Sequence, residues 1–272
     1  MENELLHVFR NTPFGRETLM QSAYFCKRAG LAMEIYLPLH SQFLMYFEHG
    51  VVTVDLDRAF LRSPETAREH ASEIVDAFSI PYGFFEPTRF MVPDLPDLSV
   101  NYGYMCCPRS ISDLSSKIGL GHIGSRVRAI VQKAGFPVLI PAAAFKQWNS
   151  IVCFFGGSAN ASVALRCARH LSERSATPLR IFTQAEETKE SYRDGLEEGS
   201  VLQDIATDRT EWLYFEGGEF RENLYAVPYD ALVVVGAYGH GVARDLFFGS
   251  KMETIQTVLP NPLLIVGPNC RV

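Results

Sequence analysis

The chain has 272 residues, of which 47% are hydrophobic and 21% charged, values that exclude disordered, collagen-like and low-complexity proteins. Lys and Arg number 25 against 31 Asp and Glu, and the net charge of -6 repels a polyanion, which excludes a general nucleic-acid binder. The length suits one large or two small domains.

Six cysteines, Cys26, Cys106, Cys107, Cys153, Cys167 and Cys270, form no C-x-x-C pair and no metal-ligand spacing with the histidines. Most sit in apolar runs, so they are expected to be buried, reduced thiols, and no metal site is expected. The opening MENELLHVFRN lacks a basic, apolar secretory signal, and no run reaches the roughly 18 apolar residues of a membrane helix. A cytoplasmic protein without membrane contact is the expectation.

In chain order, Leu5 to Phe9 reads as a strand and Arg16 to Ala29 as a helix with Leu19, Ala23 and Cys26 on one face. Ala32 to Leu37 is a second strand. Between Pro38 and Tyr104, Pro64, Pro81, Pro87, Pro93 and Pro96 punctuate a stretch read as helix over Glu65 to Phe78 and otherwise as loop. Phe43, Tyr46 and Phe47 could offer a contact surface, but core packing is the simpler use of them. After a lapse over Pro141 to Trp148, the pattern restarts with strand Ile151 to Phe155, helix Ala161 to Glu173 and strand Leu179 to Thr183. Strand Glu211 to Phe215, short helix Glu219 to Ala226, strand Ala231 to Val235, helix Lys251 to Leu259 and strand Leu263 to Val266 complete the chain. Apolar strands alternating with helices indicate parallel sheets covered on both faces.

The two halves repeat. Superimposing Leu5 on Ile151 sets an offset of 146 residues and brings Ile35 onto Ile181, whereas Gly124-Ser125 precede Gly249-Ser250 by 125. The first copy therefore holds 21 extra residues. So long a period means duplicated domains, here 1–145 and 146–272, each a doubly wound α/β unit with a five-stranded, mostly parallel sheet. The matched segments Phe136-Pro-Val-Leu-Ile and Asn261-Pro-Leu-Leu-Ile suggest that the copies pack through their last strands as an intramolecular pseudo-dimer.

The segment with chemical content is Gly236-Ala-Tyr-Gly239-His240-Gly-Val-Ala-Arg244-Asp-Leu-Phe-Phe-Gly249-Ser250-Lys251, which follows a buried strand and opens a helix. Glycines there let backbone amides approach an anion, and Gly249-Ser250 place amides and a hydroxyl at a helix N-terminus, which suits a phosphate chain. His240, Arg244 and Lys251 would add positive charge. A tight strand-to-helix turn is the plainer account of the glycines; their spacing weighs against it.

Strand, G-x-x-G, nine residues, G-[ST], helix and a Pro-containing last strand resemble the nucleotide-binding signature of the universal stress protein family. The resemblance covers both halves and implies an adenine nucleotide alpha hydrolase-like fold and a stress-response protein that binds ATP or AMP, regulatory rather than catalytic. The loop Phe155-Gly156-Gly157-Ser158 would contribute Gly156 and Ser158, and Thr183 would mark the adenine slot, with Gly236, Gly239, His240, Gly249, Ser250 and Lys251 along the phosphates. Gly156 stands where ATP-binding members carry Asp, which argues against Mg²⁺ and hydrolysis. The first copy reads Cys106-Cys107-Pro108-Arg109-Ser110 at the matching turn and keeps only Gly124-Ser125, so it is not expected to hold nucleotide in the usual way. Two alternatives stay open: an interaction scaffold of the same fold with protein partners of unknown kind, and an ATP pyrophosphatase, whose S-G-G-x-D-S loop is faintly similar to Phe155 to Asn160 but has a Ser and an Asp missing here.

Overall fold

A computed structural model of the chain describes residues 3–61, 63–111, 122–198, 200–206, 209–237 and 249–271. The first half begins with β1 (Glu4–Val8), α1 (Pro13–Ala29) and β2 (Ala32–Tyr36). Helix α1 starts earlier than its apolar pattern because Thr12 caps it: the Gly15 amide donates to Thr12 Oγ1 at 2.9 Å, and Pro13 occupies the first turn without needing a donor. It stops at Gly30, whose φ of 64° continues the chain in the left-handed region.

Two hairpins then depart from the expected loop. β3 (Gln42–Phe47) pairs antiparallel with β4 (Gly50–Asp55), and after α2 (Pro64–Asp76) and β5 (Tyr82–Phe85) a second hairpin forms from β6 (Arg89–Val92) and β7 (Leu95–Ser99). β3 and β7 join in parallel, giving a small sheet of order β4-β3-β7-β6. Phe43, Met45 and Phe47 alternate into the core, as do Val52 and Val54, so the aromatic cluster packs inward at Phe43 and Phe47. The half closes with β8 (Tyr104–Cys106), α3 (Ser125–Lys133) and β9 (Val138–Ile140).

The second half repeats the frame without the hairpins: β10 (Ser150–Phe154), α4 (Ala159–Ser175), β11 (Leu179–Gln184), α5 (Arg193–Glu198), α6 (Leu202–Ala206), β12 (Thr210–Phe215), α7 (Phe220–Asn223), β13 (Ala231–Gly236), α8 (Gly249–Val258) and β14 (Leu263–Val266). The predicted helix over Glu219 to Ala226 is α7 running into a 3₁₀ turn, Leu224–Ala226.

All ten main strands form one sheet, β12-β11-β10-β13-β14-β9-β8-β1-β2-β5. Each half contributes five strands paired in parallel, and the halves meet at the antiparallel pair β14–β9, where Leu263 faces Ile140 and Ile265 faces Val138. The last strand of each half thus joins the two half-sheets edge to edge. The sheet is buried on both faces: Leu5, Cys106, Ile151 and Leu264 lie among α1, α2 and α4, while Leu6, Met105, Val152 and Leu263 lie among the small sheet, α3 and α8. Side-chain bonds stitch the seam, including Arg28 Nη2 to the Ser175 carbonyl (3.1 Å), the Ile123 amide to Gln256 Oε1 (2.8 Å) and Tyr24 Oη to the Trp148 carbonyl (2.9 Å). All six cysteines are buried free thiols.

Candidate functional site

In an open parallel sheet the ligand crevice lies beyond the carboxyl ends of the strands. In the second half that crevice has a volume of about 160 Å³ and is walled by the ends of β10, β11 and β13 and by α8. The turn after β10 is Phe155-Gly156-Gly157-Ser158. Gly157 takes φ +76°, and Ser158 caps α4, its Oγ accepting from the Ala161 amide at 3.2 Å. A Cβ at Gly156 would meet no heavy atom within 4 Å, so this position opens onto the crevice. At Gly236 a Cβ would stand 2.8 Å from the Asn160 carbonyl oxygen. That glycine lets the end of β13 pack on the first turn of α4, where Asn160 Nδ2 donates to the carbonyls of Ala237 (2.5 Å) and Val266 (3.0 Å).

The floor is aromatic. Phe154 and Phe182 lie 4.6 Å apart, Phe182 and Phe215 4.8 Å, and Phe220 meets Phe154 and Phe182 edge-on at 6.3 and 6.2 Å. These spacings are those of attractive ring pairs. Sequence reading missed this floor, because a Phe at the end of an apolar strand looks like ordinary core. The repeat carried part of the signal: the offset that aligns the halves sets Phe182 on Tyr36, an aromatic ring near the end of strand two in both copies, but Phe154 on the smaller Val8.

Gly156, Ser158, Gly236 and Lys251 all line the crevice. Thr183 does not: it points to the opposite face, buried, with its Oγ1 accepting from the Trp212 indole at 3.0 Å. Strand alternation gives the crevice to its neighbours Phe182 and Gln184 instead. Lys251 forms an ion pair with Glu186 and lies 5.8 Å from the Phe220 ring, so its charge already has a partner. Gly249 and Ser250 open α8; Gly239, His240 and Arg244 lie outside the described residues. Among the described residues no cluster of three or more His, Cys, Asp or Glu is arranged to hold a metal.

The first half fills the matching place differently. Arg10 stands at the position equivalent to Gly156 and is only 4% exposed; burial lowers its pKa to about 10. Phe43, from the small sheet, packs edge-on against Tyr36 at 5.1 Å. Beneath them His7 Nδ1 is 2.8 Å from Ser22 Oγ, and burial, aided by the Arg10 charge, lowers its pKa to about 3. Cys106, opposite His7 in the sheet, is pushed up to about 12 by burial. A neutral imidazole and inert thiols are core groups here, and they carry no nucleophilic chemistry.

The fold and crevice define a class, the doubly wound sheets of the adenine nucleotide alpha hydrolase-like kind. No protein-family model and no curated protein matches the chain. Among solved structures it is similar to a universal stress protein from Archaeoglobus fulgidus DSM 4304, with TM-score 0.66 and 15% identity over 98% of this chain and 99% of that one. A candidate universal stress protein from Pseudomonas aeruginosa UCBPP-PA14 matches at TM-score 0.60 and 10% identity, over 98% and 94% of the two chains. The cytoplasmic domain of a prokaryotic cation chloride cotransporter matches at TM-score 0.53 and 10% identity, over 97% and 95%. The chain has the universal stress protein fold, with both sheet halves in one polypeptide. Among the described residues no helix is long and apolar enough to cross a membrane.

Proposed function

We propose that the chain is a stress-response protein of the universal stress protein type that acts in the cytoplasm and binds an adenine nucleotide, ATP or AMP, as a regulator. The observation that carries this reading is the second-half crevice, which lies at the carboxyl ends of β10, β11 and β13, is open at Gly156 and is floored by Phe154 and Phe182. Phe182 is 1% exposed beneath Phe154, Phe215 and Phe220, so stacking with a base would fall to the partly exposed rings of Phe154 and Phe220. A volume of about 160 Å³ is below the roughly 300 to 1,000 Å³ of pockets that enclose a whole ligand, so the ribose and phosphates would extend outward along Gly236, Gly239, His240, Gly249 and Ser250. Lys251 would exchange Glu186 for a phosphate. With glycine at 156, the crevice offers no carboxylate there for Mg²⁺, so binding would depend little on that ion and hydrolysis is not part of the proposal.

One nucleotide per chain is proposed, in the second half, because Arg10 and Phe43 fill the first-half counterpart. Isothermal titration with ATP, AMP and cyclic AMP tests the reading. A single site is expected, lost in Gly239→Val and kept in Gly124→Val. Two sites per chain, or the opposite pattern of variants, would place the live site in the other half. Absence of heat and of a thermal shift at millimolar nucleotide would favour an interaction scaffold for protein partners, the reading that the Lys251–Glu186 pair and the small crevice support.

A further inference from the structure

A cavity of about 760 Å³ opens in the first half at the carboxyl ends of β2 and β5, between the first turns of α2 and strand β6. Tyr36, the counterpart of Phe182, lines it, but no counterpart of another residue of the second-half crevice does, because Arg10 and Phe43 close that part of the first half and leave the cavity on the β5 and α2 side. Its volume falls within the roughly 300 to 1,000 Å³ that encloses a small organic molecule.

The lining has two characters. One wall is apolar, with Leu37, Phe84 and Phe90, and Leu39 and Phe90 stay exposed at the mouth despite their size. Exposed apolar side chains gathered at an open cavity mark a surface suited to cover by an apolar body. The other wall is the α2 face bearing Glu65, Arg68 and Glu69, with Glu86 across from it.

The charges do not balance. Arg68 pairs with Glu86 at 2.9 Å, and its guanidinium lies 4.3 Å from the centre of the Phe84 ring. His40 faces Asp94 at 3.8 Å and meets the Phe90 ring edge-on at 6.0 Å. Each basic side chain of the cavity therefore has a carboxylate of its own, while Glu65 and Glu69 have no ion-pair partner among the described residues. The Arg68–Phe84 contact is already a cation held on an aromatic face, the arrangement that recognises organic ammonium groups.

From this combination of volume, aromatic wall and surplus carboxylate we propose that the cavity binds a small amphiphilic organic cation, an aromatic or branched aliphatic body bearing a protonated or quaternary amine. The apolar body lies against Leu37, Leu39 and Phe90, and the ammonium faces Glu65 and Glu69. The site is independent of nucleotide binding in the second half.

Calorimetric titration with benzyltrimethylammonium and with 3-phenylpropionate, molecules of similar size and opposite charge, tests the assignment. The cation should bind about tenfold more tightly, and that preference should shrink to about threefold or less in the Glu65→Gln/Glu69→Gln double variant. Ser72→Trp, which fills the cavity from α2, should abolish binding of the cation. No heat from either probe at millimolar concentration, tighter binding of the anion, or cation binding untouched by the glutamate changes would overturn the proposal. The glutamates are exposed, so the double variant keeps the test decisive if Ser72→Trp fails to fold. ATP titration of the same preparations should be unchanged, which separates this site from the nucleotide reading.

Discussion

Adding a single methyl group at Gly236 tests whether that glycine serves packing. In Gly236→Ala the new Cβ would stand 2.8 Å from the Asn160 carbonyl oxygen, 3.0 Å from its carbon and 3.2 Å from the Ala161 nitrogen. All three are backbone atoms of the first turn of α4, so no side chain can swing aside, and either that turn or the end of β13 must shift. The shift would strain both bonds from Asn160 to Ala237 and Val266. Overpacking of this kind costs about 1 to 3 kcal/mol. At about 2 to 4 °C per kcal/mol for a chain approaching this size, Tm should fall by about 2 to 12 °C. Gly156→Ala is the matched control: its Cβ meets nothing within 4 Å, so stability should change by no more than about 0.5 kcal/mol. Thermal denaturation followed by circular dichroism, with nucleotide titration on the same samples, reads both quantities. If Gly236→Ala melts with the wild type, the packing account is wrong; a stable variant that loses nucleotide would assign the glycine to ligand approach alone.

Three further outcomes follow from other positions. Gly267→Ala places a Cβ 2.0 Å from the Val131 carbonyl oxygen of α3, across the seam, and should cost near the top of the same range, about 3 kcal/mol, whereas Gly217→Ala, with open space, should cost almost nothing. Equal urea midpoints for the two would refute it. His7 has a folded pKa near 3 against 6.5 unfolded, so the unfolded chain binds the extra proton between those values. Its contribution to stability is complete above pH 6.5 and is lost as pH falls toward 3, at up to about 1.4 kcal/mol per pH unit. The stability profile of His7→Gln should be flatter over that window, and parallel profiles would show that His7 is not the titrating group. Gly156→Asp should fold normally, given the space at that position, and should increase the Mg²⁺ dependence of ATP binding; calorimetry with and without Mg²⁺ showing no difference from wild type would remove the carboxylate argument.

The main sheet was legible because strands such as Ala231–Gly236 and Leu263–Val266 are buried on both faces and so read as unbroken apolar runs. The small sheet was not. Arg89–Val92 is exposed along its whole length and its apolar run, Phe90 to Val92, is only three residues long, while Pro96 inside β7 argues against a strand there. In β3 the alternation of Phe43, Met45 and Phe47 was present, but half-buried Leu44 and Tyr46 between them blurred it into a cluster. Two of the glycines read from the sequence, Gly156 and Gly236, come together in the lining of one crevice. Thr183 was off by one residue, and in a strand one residue exchanges the faces: Phe182 looks into the crevice and Thr183 into the core beside Trp212.

The antiparallel seam has a consequence for the order in which the chain is made. Strand β9 leaves the ribosome about 120 residues before β14, the strand that will cover it. Until then Val138, Leu139 and Ile140, all inaccessible in the finished protein, form the rim of an otherwise complete half-sheet. Such a rim is a template for pairing with any similar strand, and the most similar strand nearby belongs to another nascent copy. A polypeptide released after its first half would therefore join a second one edge to edge through β9, replacing a covalent neighbour with a stranger.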